Sequence, residues 1–526
     1  MKNLKQKGVI AVWVLGFSFA VLIMLGGIVG FVLLQQKTSV ERMASEESLH
    51  IAEAGINYYK WYINQNSTTT QTIIQDGNNW CTSSQTLSVC GSLDWCGPYE
   101  HEYKDTNGNA LGKFSLCTKG KSICGQILGA YAKAIGYTDK RPKIKRVILA
   151  KFAATTVAEF AYLVNESVWV GDDRSIYGKY HSNNGIRIDG TGNSIVSSGV
   201  GTWLCTKSFG CDPPNCDPEC THEGDACRCP GVFGSGGGSD LWKYPVLPFN
   251  FDGITSNFLK IKNLANSNGR YYEPSINIDE NADGYHFIFK EDGTFDVKII
   301  TELKEVNSSD GENFKWKPEI IKDEYTYKTN VTTSDSCGLI FAEDNIWVEG
   351  TIKGRKTLAT ANLIDDNAQT SAIINWNLDY TTLDGSDSFA LLAEKDILIP
   401  LCSPGGDGDT SYNPLCNRSG YTDKMVVRGV FVAQTGFFGR NYYPQAKKNG
   451  KKWESYQPWC YRNDLLIYGS IVSQKRVGTK WMCEWGYCSG YENRTNYFDQ
   501  KLATNPPPLL PYISPDLKIV SWEELQ

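Results

Sequence analysis

The chain lacks every linear catalytic signature that a hydrolase or nucleotide enzyme would carry. Its five histidines (His50, His101, His181, His222, His286) are scattered, which excludes an H-E-x-x-H metal motif on one helix. There is no G-x-S-x-G elbow and no Walker A loop. Long basic blocks are also missing. The net charge is −6, so phosphate backbones gain little from this chain and no nucleic-acid partner is expected. The richest basic stretch, Lys140 to Arg146, runs into Val147-Ile148-Leu149-Ala150 and reads as the polar face of a strand. Charged residues make up only 21%, against 12% aromatics and 50 glycines, a balance that suits a β-rich extracellular body better than a helical one. Proline is absent before position 98, so nothing breaks a helix in that region.

What is present is a single uncharged run of 26 residues, Val9 to Leu34, behind Lys2, Lys5, Lys7 and Gly8. At about 1.5 Å per residue it spans a bilayer core of about 30 Å with length to spare. No second run compares with it, so one anchor is expected. The leading lysines favour a cytoplasmic N-terminus, with the rest of the chain outside. The run is too long for the apolar core of a cleavable signal peptide, and no small-residue cleavage site follows it. Instead Val40, Met43, Ala44, Ile51, Ala52, Gly55, Tyr58, Tyr59 and Tyr62 share a face. The apolar helix is therefore expected to continue as an amphipathic one to about residue 63. An ordinary signal anchor with a stalk has the same outline.

Glu41-Arg42-Met43-Ala44 followed by Ala52-Glu53-Ala54-Gly55-Ile56, behind a basic leader and a long apolar helix, resembles the N-terminal region of PilX-type minor pilins. That resemblance implies a prepilin-like leader over 1–8, a cut between Gly8 and Val9 with methylation of the new terminus, and an assembly helix over 9–63. It implies pilin subunits or pilus machinery as partners. Pilins normally carry glutamate at the fifth residue after the cut, where it pairs with a neighbour's terminal amine. Here that residue is Trp13, a departure that suits a rare or terminal subunit. Further blocks resemble the extracellular region behind such N-termini. They are His181 to Ile186, Leu241-Trp242 with Pro245-Val246, Gly338 to Gly354, and Tyr468 to Ile471. A further, C-terminal block comprises Tyr497, Asp499, Pro506-Pro507-Pro508 and Ser521-Trp522-Glu523-Glu524. The resemblance spans nearly the whole chain and implies no defined chemistry.

The fold expected is α+β, mainly β: a long transmembrane and amphipathic helix followed by a β-rich head. Short β-branched strands recur about every ten residues between Gly, Asn and Ser turns, around 178–198, 338–361, 389–399, 426–433 and 466–472. That rhythm predicts a parallel β-helix, or β-solenoid. β-Sandwich domains are the alternative. The expected division after the helix is 64–172, a polar cysteine-containing β-rich region; 173–204, first rungs; 205–240, a cysteine-rich insertion and Gly-rich linker; 241–335, β-rich; 336–500, second rungs; and 501–526, a Pro-rich end.

Seventeen cysteines agree with export. Cys205, Cys211, Cys216, Cys220, Cys227 and Cys229 fall in a stretch with little core-forming sequence, so crosslinks are expected to hold it, in one of 15 pairings. Paired C-x₂-C knuckles for zinc are not present. The odd total leaves at least one thiol free or joined to another chain. Calcium is the one small ligand with a candidate loop, Asp279, Asn281 and Asp283 before Gly284, though the twelfth position is Lys290 where a bidentate glutamate is needed. Asp407-Gly408-Asp409 is a second acidic loop, and Asp105 to Asn109 reads as a hairpin turn. No other cofactor is implied. For catalysis the candidates are His181 with Asp172 and Asp173, and the acids Asp365-Asp366, Asp384 and Asp387, each as readily a turn residue. Two functions survive: a non-enzymatic pilin-like surface protein, with adhesion or tip roles and a surface or host ligand, and an anchored β-helix enzyme acting on polysaccharide. A cleft with three or more converging acids would favour the second.

Overall fold

The computed structural model describes residues 5–65, 90, 95–124, 126–251, 257–311, 313–333, 337–365, 368–406, 416, 418–449, 452–483 and 486–525. Asp366, Asp407, Asp409 and Cys81 lie outside the described residues. The chain is a long N-terminal helix and a β-rich body. It divides into two compact units, one of residues 1–122, 127–153 and 516–526, the other of 123–126 and 154–515.

In the first unit, helix α1 (Lys5–Gln65) runs for 61 residues without a break. Every residue from Ile10 to Met43 is exposed. From Ala44 onward one stripe is buried: Ala44, Ser48, Ile51, Ala52, Ile56, Tyr59 and Ile63, recurring every three or four residues apart from the adjacent pair Ile51 and Ala52, as one helix face requires. The stripe packs on an antiparallel sheet ordered Cys96–Lys104, Ala110–Ile123, Gln126–Thr138, Lys145–Thr156 and Tyr512–Leu525. Val40 and Met43, expected on the packed face, are exposed because the buried stripe begins only at Ala44. Glycine sets the approach. A Cβ on Gly136 would collide with the Ser48 carbonyl oxygen and the Ala52 amide, and one on Gly55 would press into the Phe114 ring. Two side-chain ties fix the seam: the Ser48 hydroxyl donates to the Ile144 carbonyl (3.0 Å) and Arg146 donates to the Ser45 hydroxyl (2.7 Å).

The second unit is a run of parallel strand pairs. The register passes from Tyr271 to Phe341, Ala359, Leu392, Val432 and Val472. It then returns to earlier sequence at Leu163, His181 and Ser197. A neighbouring ladder joins Phe287, Val348 and Ile374. Alternation along each strand gives two layers. Ile340, Leu358, Leu391, Phe431, Ile471, Tyr162 and Tyr180 turn into one core, while Phe341, Ala359, Leu392, Val432 and Val472 face a second. Helix α2 (Phe258–Asn268), capped by the Asn257 side chain, covers that second layer with Phe258, Ile261 and Ala265. Two long antiparallel strands, Phe295–Ser309 and Phe314–Val331, branch from strand Gly284–Phe289.

The six clustered cysteines pair as Cys205–Cys211, Cys216–Cys227 and Cys220–Cys229. They hold a small antiparallel sheet of Thr202–Cys205, Thr221–Glu223 and Ala226–Pro230. Cys124–Cys337 closes a much longer span, and Cys460 is the free, buried cysteine among the described residues. The Gly-rich segment 234–240, expected as a flexible linker, is fastened instead. Its Gly236 amide donates to the Ile188 carbonyl, and the Ser235 amide and hydroxyl donate to Asp189.

Candidate functional site

Two places have chemistry to offer, one in each unit. The first is the bare half of α1. Gly8 and Val9 lie within the helix. Trp13 is 75% exposed, and Phe17, Leu22, Phe31 and Leu34 are exposed with it. Glu41, Arg42 and Met43 face solvent. Ala52 and Gly55 are buried in the seam with the sheet, Ala54 is half-buried, and Glu53 pairs with His50 at 3.2 Å. The small residues of the Ala52 to Gly55 segment are thus those that let helix and sheet touch.

The second place is a cavity of about 440 Å³ on the outer face of the parallel strands, within the range of small-molecule sites. Its floor follows from strand alternation. Tyr285, Phe287 and Phe289 point into the core, so His286 and Ile288 point out. Parallel register sets Glu349 beside Ile288, and Asn375 lies on the next strand. One wall is strand Phe314–Val331, which brings Glu319 and Glu324; the other carries Arg418 and Tyr421. Charged groups form a chain across the site. Lys298 Nζ lies 2.6 Å from Glu324, whose other oxygen lies 2.8 Å from His286 Nδ1. His286 Nε2 is 3.6 Å from Glu349, and Arg418 Nη1 is 2.6 Å from the other Glu349 oxygen. The Arg418 guanidinium lies 3.7 Å from the Trp376 ring centroid, a cation–π contact.

Four acids, Glu319, Asp323, Glu324 and Glu349, therefore line one cavity; Asp323 is exposed at its rim, and the partners of the other three decide what they can do. Burial would raise Glu324, but the His286 and Lys298 contacts outweigh it and hold its carboxyl down to about 2. Burial pushes Glu319 up, and its oxygens are taken by the Tyr443 hydroxyl (2.8 Å) and the Leu401 amide (2.7 Å). Glycoside cleavage needs a proton-bearing acid beside a free carboxylate. Here Glu324 is ionised and paired, Glu349 is paired with Arg418, and Glu319 is tied to Tyr443. The depressed Glu324 value has a consequence. Its folded pKa lies below the ordinary 4.5, so it contributes stability above about pH 4.5, and that contribution is lost as pH falls toward 2. Glu324→Gln is expected to flatten the acid limb of a Tm-against-pH curve; an unchanged limb would contradict the pairing.

The other sequence candidates are dispersed. His181 is fully buried in a strand, 2.9 Å from the Ser197 hydroxyl on the next strand and 3.0 Å from Asn183. Asp173 instead pairs with Lys480 and Arg494, far along the chain. Asp384 and Asp387 accept hydrogen bonds within their own turn, from Ser386 and Thr382. The Asp279 carboxylate accepts the Asn281 amide, a local turn contact, and Lys290 at the twelfth position pairs with Asp296 in the following hairpin. Burial and the nearby Asp344 charge raise Asp283. Among the described residues no group of three or more His, Cys, Asp or Glu side chains is placed to hold a metal. Sequence reasoning missed His286, Glu324, Glu349 and Arg418. The local signal was His286 alternating with aromatic core residues, which marks an outward-facing polar side chain on a strand.

The remaining sequence blocks have structural work. Gly185 lies under the Trp203 ring, where a Cβ would collide. Trp242 extends the parallel ladder beside Val196. Arg428, Tyr468, Tyr497 and Tyr177 stack along the surface, the last three at centroid spacings of 4.9 and 5.3 Å. Asp499 caps helix α3 (Gln500–Thr504), and the carbonyls of Pro506 and Pro508 accept from Arg355 and Thr357. No protein-family model matches the chain, and no curated protein matches it. Among solved structures it is similar to the competence-associated pilin ComZ from Thermus thermophilus. The match has 12% identity and covers 92% of this chain and 97% of that one. Its TM-score is 0.26, too low to carry weight.

Proposed function

We propose that this chain is a non-enzymatic, pilin-like surface protein, held in the membrane by α1 with its N-terminus in the cytoplasm and its β-rich body outside. The observation that supports this most is the division of one unbroken helix. Its first half is apolar and exposed all round; its second half is packed on a sheet. A fully apolar helical surface is stable only against lipid or other apolar helices. A packed second half makes that segment a rigid extension of the first unit, so any partner of the bare half would be joined to that unit without a flexible stalk. In this reading the leader 1–8 is removed between Gly8 and Val9, and the bare half passes from lipid to neighbouring pilin helices. Trp13, which cannot ion-pair with a neighbour's amine, suits a rare or tip subunit. The parallel ladders support a β-solenoid head, suited to adhesion. Convergence of Glu319, Asp323, Glu324 and Glu349 favours the enzyme alternative, but Glu319, Glu324 and Glu349 are each tied to a protein partner.

Expressed in a bacterium, the protein is expected to sediment with membranes, to resist carbonate extraction, and to lose its body to protease added outside the cytoplasmic membrane. A carbonate-soluble or protease-protected body would overturn the topology.

A further inference from the structure

We propose that the cavity between His286, Glu349 and Tyr421 is a binding site for a neutral saccharide, recognised through its hydroxyl groups. The proposal goes beyond the anchoring reading and does not depend on it. Two polar side chains that line the cavity are more than nine-tenths buried and have an atom with no hydrogen-bond partner among the described residues: His286 Nε2, on a residue 3% exposed, and the Tyr421 hydroxyl, on a residue 4% exposed. Buried polar atoms are almost always paired, so two such atoms lining one cavity point to a ligand that pairs them.

The chemistry of that ligand follows from what faces it. Glu324 can only accept, so the His286 Nδ1 proton is directed to it. A neutral His286 ring then offers Nε2 as an acceptor, 3.6 Å from a Glu349 oxygen that is also an acceptor. Two acceptors at that distance call for a donor from outside the protein. A hydroxyl meets this need, and because it also accepts, it serves equally if the imidazole is protonated. Tyr421 supplies a third point. Its ring is fixed between Trp376 and Trp459, at centroid distances of 4.6 and 4.4 Å, and burial pushes its phenol pKa up, so it stays a donor. The ligand should be uncharged, because the charges that are not exposed already pair with one another, Lys298 with Glu324 and Arg418 with Glu349, while Lys322 and Asp323 at the rim are exposed to solvent. A compact molecule with several adjacent hydroxyls and no charge is a hexose unit.

The test uses the full chain in a detergent without sugar headgroups. It is titrated with maltotriose, cellotriose, mannotriose and β-1,4-galactotriose, and with glucosamine and sialic acid as charged counterparts, by saturation-transfer NMR and calorimetry. At least one neutral trisaccharide is expected to bind. Tyr421→Phe and Glu349→Gln should each weaken it tenfold or more. Tyr421→Phe keeps the ring packing and removes only an unpaired hydroxyl, so its Tm should not fall. A structural tyrosine would leave binding unchanged. Binding by none of the neutral probes, binding unaffected by both substitutions, or preference for a charged sugar would each overturn the proposal. The N-terminal reading is judged by a separate measurement, so the two fail independently.

Discussion

Replacing Gly136 by valine is expected to separate α1 from its sheet and lower the melting temperature of the first unit by about 6–12 °C. The collision is with backbone, the Ser48 carbonyl and the Ala52 amide, so no side chain can turn aside to relieve it. Overpacking of this kind costs about 1–3 kcal/mol, and the rigid partner puts this site at about 3 or more. For a unit of this size 1 kcal/mol moves Tm by about 2–4 °C. The loss should reach beyond the contact itself. Ile51, Ala52 and Ile56 are buried by that approach, and Ser48 would lose its bond to Ile144. Gly478→Ala is the control, since a Cβ there meets nothing within 4 Å. Calorimetry of the two variants in detergent decides the matter. Equal melting would show that the seam is loose.

Reduction of the protein is expected to unfold residues 202–230 while the parallel ladders remain. The core of that segment is Trp203, Cys205, Cys211, Cys227, Cys229 and Phe233, so four of its six buried residues are themselves crosslinked cysteines. Without the bonds only Trp203 and Phe233, with half-buried Phe209 and Val200 against them, are left to hold three short strands. The bridged spans are 6, 11 and 9 residues. Loop-closure entropy puts each bond at about 2–3 kcal/mol on the chain-entropy account. Trypsin should cut after Lys207 and Arg228 only once the protein is reduced. The Arg228 pair with Glu223 is exposed and gives little protection by itself. Resistance that survives reduction would mean the segment has a core of another kind.

The parts legible in the sequence were those with local causes. The uncharged run and the absence of proline foretold a continuous helix, and spacing of Ala44, Ile51, Ala52 and Tyr59 foretold its packed face. Short β-branched strands between turn residues foretold a β-rich body with parallel neighbours. What the sequence could not show came from register between distant strands. Strand Tyr461–Ser473 pairs with Tyr162–Val164, so the late ladder continues into the early one, and no local pattern encodes that return. Cysteine pairing was equally hidden, because composition leaves 15 arrangements open. The cavity was least visible of all. His286, Glu324, Glu349 and Arg418 sit on four separate segments, and each reads alone as an ordinary surface charge or strand histidine.

The central claim is that α1 is a processed assembly helix rather than a plain anchor. Mass spectrometry of the N-terminal peptide, from protein extracted from the membrane of a host with a prepilin peptidase, tests it most directly. The account predicts a chain that begins at Val9, carrying an added methyl group on its amine. A terminus intact at Met1 would contradict it.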